Sequence, residues 1–240
     1  MHLLLRSSKP KNLRYLFVAH HNHIFTGKLN DNLSWRSQHT AAGSSNDNNP
    51  DDNKTRKKSR PLTEHEKSII SSMIRVDHAG EIGADWIYRG QMAVLGKDKV
   101  VGPVIQEMWD QEKYHLSTFD EIISRHRVRP TFLRPIWETT GFLLGAGTAL
   151  LGKEAAMACT EAVETTIGEH YNDQLRELIK FENNEEITEL TQVIKKFRDD
   201  ELHHLDTAVD HDAQKAPFHG PLTAIINNGC KAAIWIATRI

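Results

Sequence analysis

Four glutamates occupy positions where a helical chain would bury apolar side chains, and this placement limits the possible folds most. Glu81, Glu112, Glu164 and Glu201 each lie in a stretch where apolar residues recur every three or four positions. An ionised carboxylate in an apolar core is strongly destabilising unless it is paired or binds a cation. No run alternates with period two, so the sequence predicts an all-α fold in which these side chains meet a compensating partner.

The apolar periodicity predicts four long helices and a shorter C-terminal one. Thr63 and Glu66 have the spacing of a capping box and predict the first helix start, and Gly96 suits its end. The other predicted segments begin near Gly102-Pro103, at Trp137 to Leu151 continuing from Lys153, near Glu185, and at 222–239.

The first 60 residues differ from the rest in charge. They carry 11 Lys and Arg against four Asp and no Glu, whereas the remaining 180 carry 19 basic and 28 acidic residues. Residues 1–40 are basic and acid-poor, which predicts a mitochondrial transit peptide, with a disordered basic arm as the alternative. Residues 41–61 are polar and predict a disordered linker before a folded helical domain at 62–240.

Several classes of site are disfavoured by composition. The acidic body does not indicate a nucleic-acid partner. Two cysteines, Cys159 and Cys230, are too few for a disulfide framework or a cysteine metal site, and we expect free thiols. No Gly-x-Gly-x-x-Gly motif follows a strand, so no Rossmann nucleotide site is expected.

Two of the four glutamates are followed, one turn later on the same apolar face, by a histidine. Four carboxylates gathered in one bundle would repel each other, and two divalent cations would balance their charge. A lone Glu on two helices and Glu-x-x-His on two others is the pattern of di-iron carboxylate bundles, and ligands without thiolate suit iron or manganese. The predicted metal ligands are Glu81, Glu112, His115, Glu164, Glu201 and His204.

Placement rather than motif count supports this prediction, because a chain with this many Glu and His residues contains a Glu-x-x-His pair by chance. Asp200 and His203 form a near-copy one position off the apolar line, which predicts a surface location. Glu161 shares a face with a proposed ligand and is predicted to lie at the rim. The alternative is a bundle whose glutamates reach solvent and whose histidines are hydrogen-bonded core residues.

Four residues are candidates for orienting the metal ligands from outside. Asp77 could accept a hydrogen bond from a metal-bound histidine, an interaction that fixes the imidazole ring. His170, Tyr171 and Asp206 are further candidates, although Tyr171 could equally be a plain core residue.

Four separated stretches of the chain read IRVDHAGEIGADWIYRGQ, DQEKYHL, CTEAVETTIGEHYNDQLRELI and FRDDELHHLDTAVDHDAQKAP. In this order, between about residues 69 and 240, they resemble the demethoxyubiquinone hydroxylase family of ubiquinone biosynthesis. The resemblance implies a ferritin-like four-helix bundle that is a di-iron monooxygenase, with two iron ions on the six ligands named above.

The same resemblance implies a cellular setting. The enzyme would lie peripherally on the matrix side of the mitochondrial inner membrane and hydroxylate the ring of a polyprenyl demethoxybenzoquinone to give demethylubiquinone. It would belong to a ubiquinone-synthesis complex that includes a lipid-binding partner, and NADH would be its electron source.

One apolar segment predicts contact with lipid. Thr139 to Gly152 is 14 uncharged residues, short of the roughly 20 needed to span a bilayer, so residues 136–152 are expected to face or dip into the membrane interface. The alternative is a buried helix covered by the C-terminal one. The arginines before the segment could meet anionic head groups: Arg125, Arg127, Arg129 and Arg134.

Two other functions use the same bundle. A ferritin-like iron-storage or oxidase protein would share the ligands but would not need the apolar 136–152 segment or Trp235 and Ile236. A non-enzymatic lipid-binding scaffold would have no reason to bury four carboxylates.

Overall fold

A computed structural model describes residues 60–181 and 184–240. This part of the chain is helical and contains no strand, as predicted. The transit peptide predicted at 1–40 and all but the last two residues of the predicted linker lie outside it. The helices are α1 (Glu64–Leu95), α2 (Val101–Arg125), α3 (Arg134–Leu150), α4 (Lys153–Leu178), α5 (Glu185–Asp210) and α6 (His219–Ala237), with a 3-10 helix at Ala213–Lys215 before α6.

Four of these helices form the bundle. α1 packs along α2, and α4 packs along α5, so the bundle is built from two helix pairs. α3 lies against α1, and α6 lies against α4. The arrangement is consistent with a ferritin-like bundle carrying an additional apolar helix and a C-terminal helix, which confirms the predicted fold class.

The start and end of α1 follow from local chemistry. The backbone N–H of Glu66 donates to the hydroxyl of Thr63, and the backbone N–H of Thr63 donates to the Glu66 carboxylate at 2.8 Å. This is the predicted capping box, and Gly96 caps the other end. Arg60, in the predicted linker, also binds Glu66, with Nη1 2.9 Å from Oε2.

α3 crosses α1 at backbone contact distance. A Cβ added to Gly145 would lie 1.9 Å from the carbonyl oxygen of Ile87, and one added to Gly90 would lie 2.4 Å from the carbonyl oxygen of Phe142. Only glycine fits at such positions. Gly152, with φ of 119°, then separates α3 from α4.

The outer sides of α3 and α6 are apolar and exposed. α6 packs along α4 rather than over α3, so the alternative of a buried α3 covered by the C-terminal helix is wrong. No helix in the described ranges is long and apolar enough to cross a membrane. We call this surface the apolar face. It comprises Leu143 and Leu150 on α3, Leu151 directly after α3, and Ile225 and Trp235 on α6.

The proposed ligands form a polar layer between two apolar clusters of the bundle. Ile74 and Phe119 belong to the cluster on one side, and Tyr88 and Met108 belong to the cluster on the other. Along α1, about two helical turns separate Ile74 from Glu81 and Glu81 from Tyr88. The acidic layer therefore lies between the two apolar clusters. The bundle therefore isolates the acidic layer from water at both ends.

Candidate metal centre

The structure brings all six predicted ligands together in the middle of the bundle. Each is at most 3% exposed, and each of the four bundle helices contributes at least one. α1 provides Glu81, α2 provides Glu112 and His115, α4 provides Glu164, and α5 provides Glu201 and His204.

The six side chains form two overlapping groups, each able to hold one ion. Within each group, one ligand atom per residue can be chosen so that all lie within 4.8 Å of one another. Each group has three carboxylates and one imidazole, and Glu112 and Glu201 belong to both, so these two can bridge a metal pair. The first group is Glu81, Glu112, His115 and Glu201; the second is Glu112, Glu164, Glu201 and His204.

Both histidines point the same ring nitrogen at the carboxylates. Nδ1 of His115 lies 3.3 Å from Oε1 of Glu201 and 3.7 Å from Oε2 of Glu112. Nδ1 of His204 lies 3.1 Å from one oxygen of each of the same two glutamates. Nδ1 is therefore the ligand atom in both cases, and Nε2 faces away from the centre.

Unpartnered polar atoms support a cation at this place. Both carboxylate oxygens of Glu112, Oε2 of Glu81 and Nδ1 of His115 are buried and have no hydrogen-bond partner. Buried polar atoms almost always have a partner, and a divalent cation would provide one for all four atoms. Oxygen and imidazole ligands without thiolate fit iron or manganese.

The metal-free centre holds protons that a metal would replace. Burial, reinforced by neighbouring carboxylates, raises the pKa of Glu81 and of Glu164 well above the ordinary range. Burial would also raise the pKa of Glu112, but the two histidines lower it. Burial lowers the pKa of His204, yet the nearby carboxylates of Glu112 and Glu201 raise it to about 11. Burial also lowers the pKa of His115, but Asp200, Glu112 and Glu201 raise it above the ordinary value.

Two tyrosines hold the two unshared glutamates. The hydroxyl of Tyr88 donates to Oε1 of Glu164 at 2.9 Å, and the hydroxyl of Tyr171 donates to Oε1 of Glu81. Each tyrosine follows the glutamate of its own helix by seven residues and binds the glutamate of the other helix. Tyr171 thus orients a ligand, although the ligand is a carboxylate and not a histidine. Sequence reasoning did not single out Tyr88; the Glu-x6-Tyr spacing that occurs in both α1 and α4 is the signal that could have found it.

The outward histidine nitrogens have partners that the sequence did not reveal. Nε2 of His115 donates to Oδ2 of Asp200 at 3.1 Å, and Nε2 of His204 donates to Oε1 of Gln111 at 3.1 Å. The surface location predicted for Asp200 is therefore wrong: the residue is half-buried against α2. Burial would raise the pKa of Asp200, but His115 and Lys196 lower it.

Two residues proposed to orient the histidines have other surroundings. Asp77 accepts a hydrogen bond from Nε2 of Gln174 at 2.6 Å and lies 3.4 Å from Nε2 of His170, so it contacts neither ligand histidine. Burial raises the pKa of Asp77, although His170 beside it lowers the pKa. Asp206 is exposed, because two residues beyond His204 is about 200° around the helix from it.

Glu161 lies at the rim of the bundle, as predicted. Its Oε2 is 2.6 Å from Nε2 of His219 at the start of α6. His203 is exposed, also as predicted. Neither residue reaches the acidic layer.

A large apolar cavity adjoins the centre. A space of about 20 Å³ lies directly against the carboxylates, and a cavity of about 440 Å³ opens between α1, α3, α4 and α6. Thr140 is the one wall residue of the larger cavity with a hydroxyl group. The two spaces share the wall residues Val76, Gly80, Ala84, Ile167 and Ile234.

Comparisons with known proteins give consistent similarities. A family model described as "Ubiquinone biosynthesis protein COQ7" matches residues 68–237. The NADPH-dependent 3-demethoxyubiquinone 3-hydroxylase, mitochondrial, of Mus musculus is 59% identical over 173 residues, covering 72% of this chain and 79% of that protein. The 5-demethoxyubiquinone hydroxylase, mitochondrial, of Saccharomyces cerevisiae is 47% identical over 76% and 83% of the two chains. The 3-demethoxyubiquinol 3-hydroxylase of Rhodospirillum rubrum is 45% identical over 72% and 79%.

Proposed function

The chain belongs to the family of the ubiquinone biosynthesis protein COQ7, and from this premise we propose that it hydroxylates the ring of a polyprenyl demethoxybenzoquinone at a pair of iron ions. The family suggested by the four sequence stretches is thereby confirmed. The product is demethylubiquinone, formed late in ubiquinone biosynthesis.

The observation that carries this proposal is that the apolar cavity adjoins the acidic layer, with a shared wall between them. A polyprenyl tail needs an apolar enclosure, whereas the ring has to reach the metal ligands. Gly80 and Ala84 line both spaces, so the apolar cavity and the space beside the carboxylates lie on the same side of α1. An iron-storage or iron-oxidase protein has no use for such a cavity, so this feature favours the hydroxylase over that alternative.

The chain's own residues hold and orient the reacting groups. Glu112 and Glu201 would be shared by the two ions, and each remaining glutamate and histidine would bind one. Two ferrous ions would supply two electrons to dioxygen, so that one oxygen atom enters the ring and the other leaves as water with two protons; two electrons from a reductant would then return the ions to the ferrous state. Tyr88 and Tyr171 keep the unshared glutamates in place, and the two apolar clusters exclude water.

A reduced nicotinamide dinucleotide provides the two electrons that return the ions to the ferrous state in this proposal. NADH was expected from the family resemblance, whereas the Mus musculus relative is named as NADPH-dependent. The described part of the chain has no strand and so no Rossmann site. The dinucleotide therefore binds transiently or passes its electrons through the quinone or a partner, and parallel assays with NADH and NADPH decide the donor.

We place the protein in mitochondria, in keeping with its relatives' names, and propose a peripheral position on the matrix side of the inner membrane. The apolar face supports contact with lipid and with a lipid-binding partner in a ubiquinone-synthesis complex. Of the four arginines expected to meet head groups, Arg125 pairs with Glu189, and Arg134 pairs with Glu138 at 2.8 Å. Arg127 and Arg129 are exposed beside them.

The proposal is tested with the iron-loaded full chain and a reduced demethoxyquinone under ¹⁸O-labelled dioxygen. We expect one labelled oxygen in the ring product and two irons per chain. Iron oxidation with no ring product would support the iron-oxidase alternative instead.

Substitutions at Gly80 test the role of the cavity. A Cβ at this position would meet only the Ile167 side chain, at 3.9 Å, so Gly80→Ala should be tolerated. Gly80→Leu should block the shared wall and raise KM by tenfold or more with unchanged iron content. Equal KM values for the two variants would contradict this route for the substrate.

A further inference from the structure

The metal centre has an approximate two-fold symmetry that is broken at one pair of residues. Each metal position has the same inner ligands, three carboxylates and one imidazole. Each also has one unshared glutamate held by a tyrosine from the other helix. The residue preceding each Glu-x-x-His motif accepts the hydrogen bond from the histidine of the other motif. On one side this acceptor is Asp200, and on the other it is Gln111.

The two acceptors differ in charge. A hydrogen bond from imidazole to a carboxylate is about twice as strong as one to a neutral amide and makes the other ring nitrogen a better metal donor. The carboxylate is also fixed in place, because Nζ of Lys196 donates to the same oxygen, Oδ2, at 2.5 Å.

The two imidazole rings also differ in how they are packed. His115 stacks on Phe197 with 3.9 Å between ring centroids and 28° between planes. The His204 ring has no such close stacking: it lies edge-on to Tyr88 at 6.2 Å and tilted from His115 at 6.3 Å. The hydrogen bond to Asp200 and the stacking on Phe197 both fix the His115 ring. The ring therefore loses less conformational entropy than the His204 ring when it binds a metal.

We propose that the two metal positions are unequal, with Asp200 acting through His115 as a positioning residue. The position built on Glu81 and His115 then takes up a divalent metal first and releases it last. This inference rests on the metal pair of the proposed function, but it concerns the order and strength of binding rather than the reaction.

The test is an anaerobic titration of the metal-free full chain with Co²⁺, followed by its visible absorption, in wild type and two shape-conserving variants. We expect two steps in wild type. Asp200→Asn keeps an acceptor but removes the charge, and should weaken the first step by about 10- to 100-fold. Gln111→Glu adds the charge on the other side and should strengthen the second step. Asp199→Asn removes the same charge one residue away, from a side chain paired with Arg198, and should change neither step.

A second readout assigns the positions. One equivalent of ⁵⁷Fe²⁺ should give a single Mössbauer doublet that persists in Glu164→Gln and is lost in Glu81→Gln. The inference is overturned if wild type binds both ions equally, or if Asp200→Asn leaves both steps unchanged while the chain still takes up two ions. Failure of wild type to bind any metal would instead overturn the proposed function itself.

Discussion

At the scale of residues, the centre is defined by which side chains are shared and which are not. Glu112 and Glu201 lie within reach of both metal positions, whereas Glu81 and Glu164 each serve one. Replacing a shared glutamate should therefore affect metal binding differently from replacing an unshared one, although all four are buried.

Glu112→Gln and Glu81→Gln should differ in metal content. Loss of a shared carboxylate removes a ligand from both positions, so we expect well below one iron per chain for Glu112→Gln. Glu81→Gln leaves the second group intact and should retain about one iron. Elemental analysis after anaerobic loading measures both, and equal stoichiometry in the two variants would contradict the bridging assignment.

Metal uptake should release protons. The pKa values of Glu81, Glu164, His115 and His204 are all raised, so each group keeps its proton to a higher pH than it would in water. Divalent ions compete with those protons, so affinity should rise as pH rises and fall as pH falls. Calorimetry in buffers of different ionisation enthalpy should show net proton release on metal loading; no release would refute this account.

The convergence of the six proposed ligands could be predicted from sequence because each lies on the apolar line of its own helix. Tyr171 was also among the candidates for orienting them, but their other hydrogen-bond partners could not be predicted. Asp200 lies one position off that line, and its burial depends on His115 from another helix, which periodicity within one helix does not report. Asp77 was misassigned for the same reason, because its partner Gln174 is supplied by α4.

At the scale of elements, long helices with strong periodicity and clear caps were predicted closely. The first begins after Thr63 and ends before Gly96, as expected. The 3-10 helix at Ala213–Lys215 was missed, since a single turn has no periodicity to detect. The close packing of α3 on α1 at Gly141 and Gly145 could not be assigned either, because periodicity within one helix does not report which helix it contacts.

Gly145→Ala should destabilise the fold at the contact between α3 and α1. The added methyl group would lie 1.9 Å from the backbone oxygen of Ile87, forcing α3 away from α1 at a cost of about 1–3 kcal/mol. Gly147→Ala is the matched control, because a Cβ there meets nothing within 4 Å and alanine favours a helix by up to about 1 kcal/mol. Thermal unfolding should show a lower Tm for the first variant only; equal Tm values would mean that the crossing tolerates a side chain.

At the scale of the whole molecule, the apolar face lies on α3 and α6, and these two helices also flank the large cavity. The proposed contact with lipid and the proposed entry of a lipid-bound substrate therefore involve the same two helices.

Leu143→Lys should weaken binding to anionic phospholipid vesicles. Leu143 is 62% exposed on α3, and loss of its transfer into lipid should cost about 1.5–3 kcal/mol, at least a tenfold change in partitioning. Ile179→Lys, at a residue 68% exposed just after α4, is the control and should bind as wild type does. Co-sedimentation with vesicles measures both, and equal losses would mean that lipid contact is not confined to the apolar face.

The two tyrosine–glutamate hydrogen bonds connect one helix pair of the bundle to the other. Tyr88 on the first helix pair completes a ligand on the second, and Tyr171 on the second pair completes a ligand on the first. An ion that met only one of the two helix pairs would find three of the six proposed ligands. The unshared glutamate of that pair would also lack its hydrogen bond from the tyrosine of the other pair. The proposed metal site is therefore complete only in a chain whose two helix pairs have both docked, so metal binding at this site would report on assembly of the bundle.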